Sequence, residues 1–124
     1  MNVVGQIATG LAVLVHLLAF AMESLWFRQP AVRRRFGLSA PDAEVVRPMA
    51  FNQGFYNLFL ALGAVGGLVA VNTGQTTVGR TLILFACGCM ALAGVVLIVT
   101  DRRFVVAASA QILPPLVVFA ATAL

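Results

Sequence analysis

Lysine is missing from this chain, and charged residues of any kind make up only 10% of its 124 residues. Hydrophobic residues make up 61%, with a mean hydropathy of +1.01, a balance that leaves too few polar side chains to cover a water-soluble domain. Histidine occurs once, at His16, and cysteine twice, at Cys87 and Cys89. Cys87 and Cys89 point to different faces of one helix, and with a single histidine no protein-built transition-metal centre is expected. No glycine-rich phosphate loop, hydrolase triad or cofactor motif occurs, so no organic cofactor is expected either.

What the chain has instead is long apolar runs. Four are read, at about residues 3–27, 49–71, 79–99 and 104–124, separated by one sizeable loop at 28–48 and two short turns. Each approaches or exceeds the roughly 20 residues a helix needs to cross a hydrocarbon core of about 30 Å. Runs of that length are too long for barrel strands, and unpaired backbone groups are intolerable in lipid, so the spans are helices. The expected architecture is all-α: a four-helix transmembrane bundle forming one integral membrane domain over residues 1–124. Ala19-Phe20-Ala21 mimics a signal-peptidase site, but residues 1–15 carry no basic side chain and His16 and Glu23 interrupt the run, so this segment is read as a retained helix.

All eight basic residues are arginines. Arg28, Arg33, Arg34, Arg35 and Arg47 lie between the first two spans, Arg102 and Arg103 between the last two, and Arg80 alone near the second connection. The positive-inside rule puts the first seven in the cytoplasm and both termini outside, as in a multi-pass protein of the plasma membrane. The arginines read as a topology determinant touching anionic lipid headgroups rather than as a nucleic-acid surface. Within the loop, Ser39 followed by Pro41, Asp42 and Glu44 reads as the start of a short interfacial helix ending at an Arg47-Pro48 break.

Polar side chains inside the spans are the functional signal. His16 and Glu23 share one face of the first helix with Phe20 and Phe27. Ionisable groups there are turned by default to the bundle interior. Glu23 also lies near the cytoplasmic end, within reach of pairing with a loop arginine. His16 lies deeper, as an interhelical hydrogen-bond partner or a proton relay. The second helix opens with Phe51-Asn52-Gln53-Gly54-Phe55-Tyr56-Asn57. At about 100° per residue, Asn52, Gln53, Tyr56 and Asn57 share an arc with Leu60, Gly63, Ala64 and Gly67, expected to face inward. The Gly63-x-x-x-Gly67 spacing suits close helix approach, including within a homo-oligomer. Gly54 either permits tight packing or borders a ligand. On the fourth helix Gln111 precedes Pro114-Pro115, whose missing donors free the carbonyls of Ala110 and Gln111. His16, Glu23, Asn52, Gln53, Tyr56, Asn57 and Gln111 are therefore the candidate ligand-binding residues, with a satisfied structural network as the competing reading.

His16-x6-Glu23-x2-Trp26, the core Asn-Gln-Gly-Phe-Tyr-Asn-Leu-Phe-Leu-Ala-Leu-Gly from Asn52 to Gly63, and Gln111-x2-Pro114 together resemble the small four-helix membrane family catalogued as domain of unknown function 1304. The resemblance covers essentially the whole chain. It implies a compact four-span protein in which the seven candidate residues are signature positions, and it carries no activity. Binding or transport of a small polar or amphipathic molecule from the cytoplasmic side is the expected function. A membrane enzyme acting on a lipid-like substrate, or a structural or regulatory subunit docking through Gly63 and Gly67, are the alternatives.

Overall fold

A computed structural model of the chain describes residues 1–124. Helix α1 runs from Val3 to Phe20 and ends in a π-helical turn, Ala21–Leu25; α2 is the short Pro30–Arg35; α3 is Ala40–Asn72 and α4 Thr76–Thr100. A 3-10 turn, Arg102–Phe104, leads into α5, Val105–Ala123. The protein is all-α, and four helical segments, Val3–Leu25, Ala40–Asn72, Thr76–Thr100 and Arg102–Ala123, are long and apolar enough to cross a membrane.

The second span differs from expectation at its start. It begins at Ala40 and continues through Pro48 without a break. Proline removes one backbone donor, here the one that would serve the Glu44 carbonyl, and both residues are exposed. Ser39 caps this helix, its Oγ accepting the Asp42 N–H at 3.3 Å. At about 1.5 Å per residue the helix is about 50 Å long, well beyond a hydrocarbon core of about 30 Å. Its charged first turns, carrying Asp42, Glu44 and Arg47, therefore extend past the lipid. Glycines with positive φ end two helices: Gly37 (φ 69°) follows α2 and Gly74 (φ 87°) follows α3. There the Leu38 N–H reaches back to Arg33 O and the Gln75 N–H to Ala70 O, at 3.0 and 2.9 Å, as in a Schellman cap.

Contacts divide the chain into two compact units, residues 1–15 with 60–124, and residues 16–59. The first contains parts of all four spans. Its core packs small residues of α1 and α3, among them Ala8, Ala12, Ala61 and Ala64, around Ile83 and Met90 of α4 and Val118 of α5. Small side chains let helix backbones approach, which is how helices associate where water exerts no hydrophobic drive. The closest approach is Gly67 against Gly79. A Cβ on Gly67 would lie 2.8 Å from Gly79 O, and one on Gly79 would lie 2.6 Å from Gly67 O. A Cβ on Gly63 would meet nothing within 4 Å, so within the chain the close approach is made at Gly67 and not at Gly63. Further along, Gly94 of α4 admits Ile112 and Gln111 of α5.

The second unit holds the end of α1, the π turn, α2 and the first half of α3. Phe27, Val32 and Ala43 are buried in it. Phe55 is the hub of a ring cluster, 5.2 Å from Phe20, 5.1 Å from Phe51 and 6.2 Å from Phe59 between centroids.

Candidate functional site

The π turn shapes the site. The Trp26 N–H bonds Ala21 O at 2.8 Å, five residues back, and the extra residue in the turn re-aims the side chains that follow; such turns recur at functional sites. Ser24 and Glu23 both meet α3. Ser24 Oγ donates to the Phe51 carbonyl at 2.8 Å, and a Cβ on Gly54 would collide with that same hydroxyl. Gly54 is therefore glycine for close packing. One turn on, Asn57 Nδ2 donates to Glu23 Oε1 at 2.6 Å and more weakly to Gln53 O at 3.4 Å.

Glu23 also lines a cleft of about 380 Å³. Gln53 is the other polar residue on its wall. Phe27 and, from the connection to α3, Phe36 and Leu38 form one side; Val46, Met49 and Ala50 of α3 form the other. Rings Phe27 and Phe36 stand 5.4 Å apart. The loop arginines do not neutralise Glu23. Arg28 Nε pairs with Glu44 Oε1 at 2.8 Å, and Arg47 Nε lies 3.8 Å from the same carboxylate. The Glu44 carboxylate hydrogen-bonded to Arg28 raises the pKa of that guanidinium above its ordinary value.

The structure thus brings Glu23, Gln53 and Asn57 together. Asn52 is exposed, and Tyr56, 57% exposed, is not on the cleft wall. The expected inward arc holds for Ala64 and Gly67, which are buried, and for Asn57, but not for Asn52 or Tyr56. His16 is buried, at 1% exposure, and is not on the cleft wall. Gln111 belongs to the other unit and is half-buried beside Gly94. Sequence reading missed Ser24, whose hydroxyl is signalled only by the glycine it faces. It also missed the apolar wall, because Phe36 and Leu38 read as loop.

Two other clefts lie in the larger unit. One, of about 520 Å³, is bordered by Gln6 and Asn72, whose side chains bond each other at 2.9 Å. Another, of about 370 Å³, is wholly apolar, between Leu11 of α1 and Leu113 of α5. Only the Glu23 cleft carries an ionisable group, so it is the candidate site.

Neither the curated proteins nor the solved structures include a match to this sequence. Residues 10–123, which hold all seven candidate residues, match the family described as "Protein of unknown function (DUF1304)"; the chain belongs to that family.

Proposed function

We propose that this protein binds a small amphipathic molecule drawn from the cytoplasmic leaflet of the plasma membrane, with its polar head at Glu23, whose carboxylate Asn57 holds, and at Gln53, and its apolar part against Phe27, Phe36 and Met49. The observation that carries the reading is a carboxylate held by a 2.6 Å hydrogen bond from the Asn57 amide, on the wall of an otherwise nearly apolar cleft. A polar group in a spanning segment is expensive and is retained for function by default. The arginine-rich connection supplies Phe36 and Leu38 to that wall, and the positive-inside rule assigns this connection to the cytoplasm, with both termini outside. Binding is favoured over catalysis because Glu23 is the only ionisable group on the wall, with neither a second acid–base group nor an oxyanion donor array beside it.

The test is thermal unfolding of the purified protein with octyl-chain amphiphiles bearing ammonium, hydroxyl or carboxylate heads. A ligand at a hundred times its Kd stabilises a folded protein by about 2.7 kcal/mol. At least one amphiphile should raise the Tm of the native protein and leave Ala50→Trp, which fills the cleft, unshifted. Equal shifts in both proteins would remove the cleft from the account. Carriage across the bilayer extends the same reading, and proton-driven uptake into liposomes that survives Glu23→Gln would exclude Glu23 as the coupling group.

A further inference from the structure

We infer that the head group held at Glu23 is a monovalent organic cation, an ammonium on an apolar tail. This deepens the binding role proposed above and rests on it. An ionised carboxylate offers about four acceptor positions. Asn57 fills one on Oε1, and Oε2 accepts no hydrogen bond from the protein. The amide donor is neutral, so it orients the carboxylate without cancelling its charge.

The five arginines nearby in sequence leave that charge alone. Arg28 and Arg47 are committed to Glu44, and Arg34 Nε donates to Pro30 O at 3.1 Å. Arg33, whose Nε is buried without a partner, and Arg35 are not on the cleft wall. Arg35 is exposed, and its charge fades over a Debye length of about 8 Å at physiological salt. A carboxylate flanked by apolar side chains gains most from a counter-charge brought by a ligand. Phe27 and Phe36, paired on the same wall, are aromatic side chains of the kind that attract ammonium groups. An anionic head meets like charge there, and a neutral one gains only a hydrogen bond. One acid on the wall means one positive charge on the ligand.

Trp26, the only tryptophan, precedes wall residue Phe27 and reports on the cleft by energy transfer. The full chain in phosphatidylglycerol nanodiscs, whose lipid carries no ammonium group, is titrated with three probes that share a dansyl-tagged octyl tail and end in trimethylammonium, hydroxyl or carboxylate. Protein-free nanodiscs correct for partition. The ammonium probe should bind at least tenfold tighter than the hydroxyl probe, and Glu23→Gln, which keeps a side-chain oxygen for Asn57, should bring the two within about twofold. Equal affinities in the native protein, or a preference that persists in Glu23→Gln, would overturn the cation assignment while leaving a binding cleft. Absence of saturable transfer from every probe would overturn the cleft reading along with it. Where the ammonium preference holds, displacement by phosphatidylethanolamine added to the nanodiscs assigns a lipid headgroup as its source, and retention of the probe assigns a free amphipathic amine.

Discussion

Two asparagines of α3 are built into the fold in the same way. Asn57 Nδ2 bonds Glu23 Oε1 and the carbonyl of Gln53, four residues back. Asn72 Nδ2 bonds Gln6 Oε1 at 2.9 Å and the carbonyl of Leu68, four residues back, at 2.8 Å. In both, an asparagine clamps a side-chain oxygen on α1 or its π turn. A neutral glutamine serves at one clamp, so the hydrogen bond alone does not require the charge of Glu23 at the other. Glu23→Gln should therefore leave the unfolding midpoint nearly unchanged. Asn57→Leu, which strips the donor from a carboxylate, should cost about 1.5–3 kcal/mol. A larger loss of Tm in Glu23→Gln than in Asn57→Leu would show that the charge is structural. At Gly54 the constraint is steric. Gly54→Ala should destabilise by about 1–3 kcal/mol, and Ser24→Gly in the same protein should recover part of the loss; denaturant unfolding of the single and double variants measures both.

Among the elements, the spans were legible in the sequence because apolar length is dictated by bilayer thickness. The start of α3 was not, because Pro48 reads as a helix end. A proline inside a helix is tolerated where the carbonyl it deprives faces solvent, and nothing in the order of residues reports that exposure. The arc of Asn52, Gln53, Tyr56 and Asn57 divided for a related reason, Asn57 meeting Glu23 and Gln53 lining the cleft while Asn52 and Tyr56 stay exposed. Periodicity relates residues on one helix to each other, whereas the π turn at Ala21–Leu25 decides which of them the neighbouring helix end covers. Asn57 was legible as a polar intrusion, but its partner was not. At the α3–α4 crossing, Gly79→Ala would place a methyl 2.6 Å from a backbone oxygen of Gly67, a contact only helix displacement can relieve. It should cost more than Gly63→Ala, whose Cβ meets nothing within 4 Å, and unfolding of the two variants side by side checks the order. Between α4 and α5, Asp101 accepts the Arg103 N–H at 3.0 Å and pairs with its guanidinium at 2.7 Å. Those bonds hold its carboxyl below the ordinary value of 3.8. A lowered folded pKa means stabilisation that is complete above the unfolded value and lost as pH falls through the folded one. Asp101→Asn should accordingly flatten the acid limb of the stability profile, and an unchanged limb would show that this pair contributes nothing.

For the whole molecule, the asymmetry of arginine is the property with the widest reach. The residues that flank the candidate cleft in sequence, Arg28, Arg33, Arg34, Arg35 and Arg47, are also the ones by which the positive-inside rule predicts its side of the membrane. In a protein with Cys87 and Cys89 replaced by alanine, Thr73→Cys should react with an impermeant maleimide in intact cells, and Gln29→Cys only after permeabilisation. The reverse pattern would place the cleft at the outer leaflet and change where its ligand comes from. How two contact units share four spans was not legible either. It depends on where small residues bring backbones together, as at Gly67 and Gly79, a property of pairs of helices rather than of any one run.

The central claim is that the carboxylate of Glu23, oriented by Asn57, faces a cleft meant to be filled by something other than this chain. A high-resolution crystal structure of the protein grown from a lipidic phase tests it most directly. Nonprotein density beside Glu23 and Asn57, with a tail along Phe27, Phe36 and Met49, is the result this account predicts. A cleft closed by the protein's own side chains, with both Glu23 oxygens bonded internally, would contradict it.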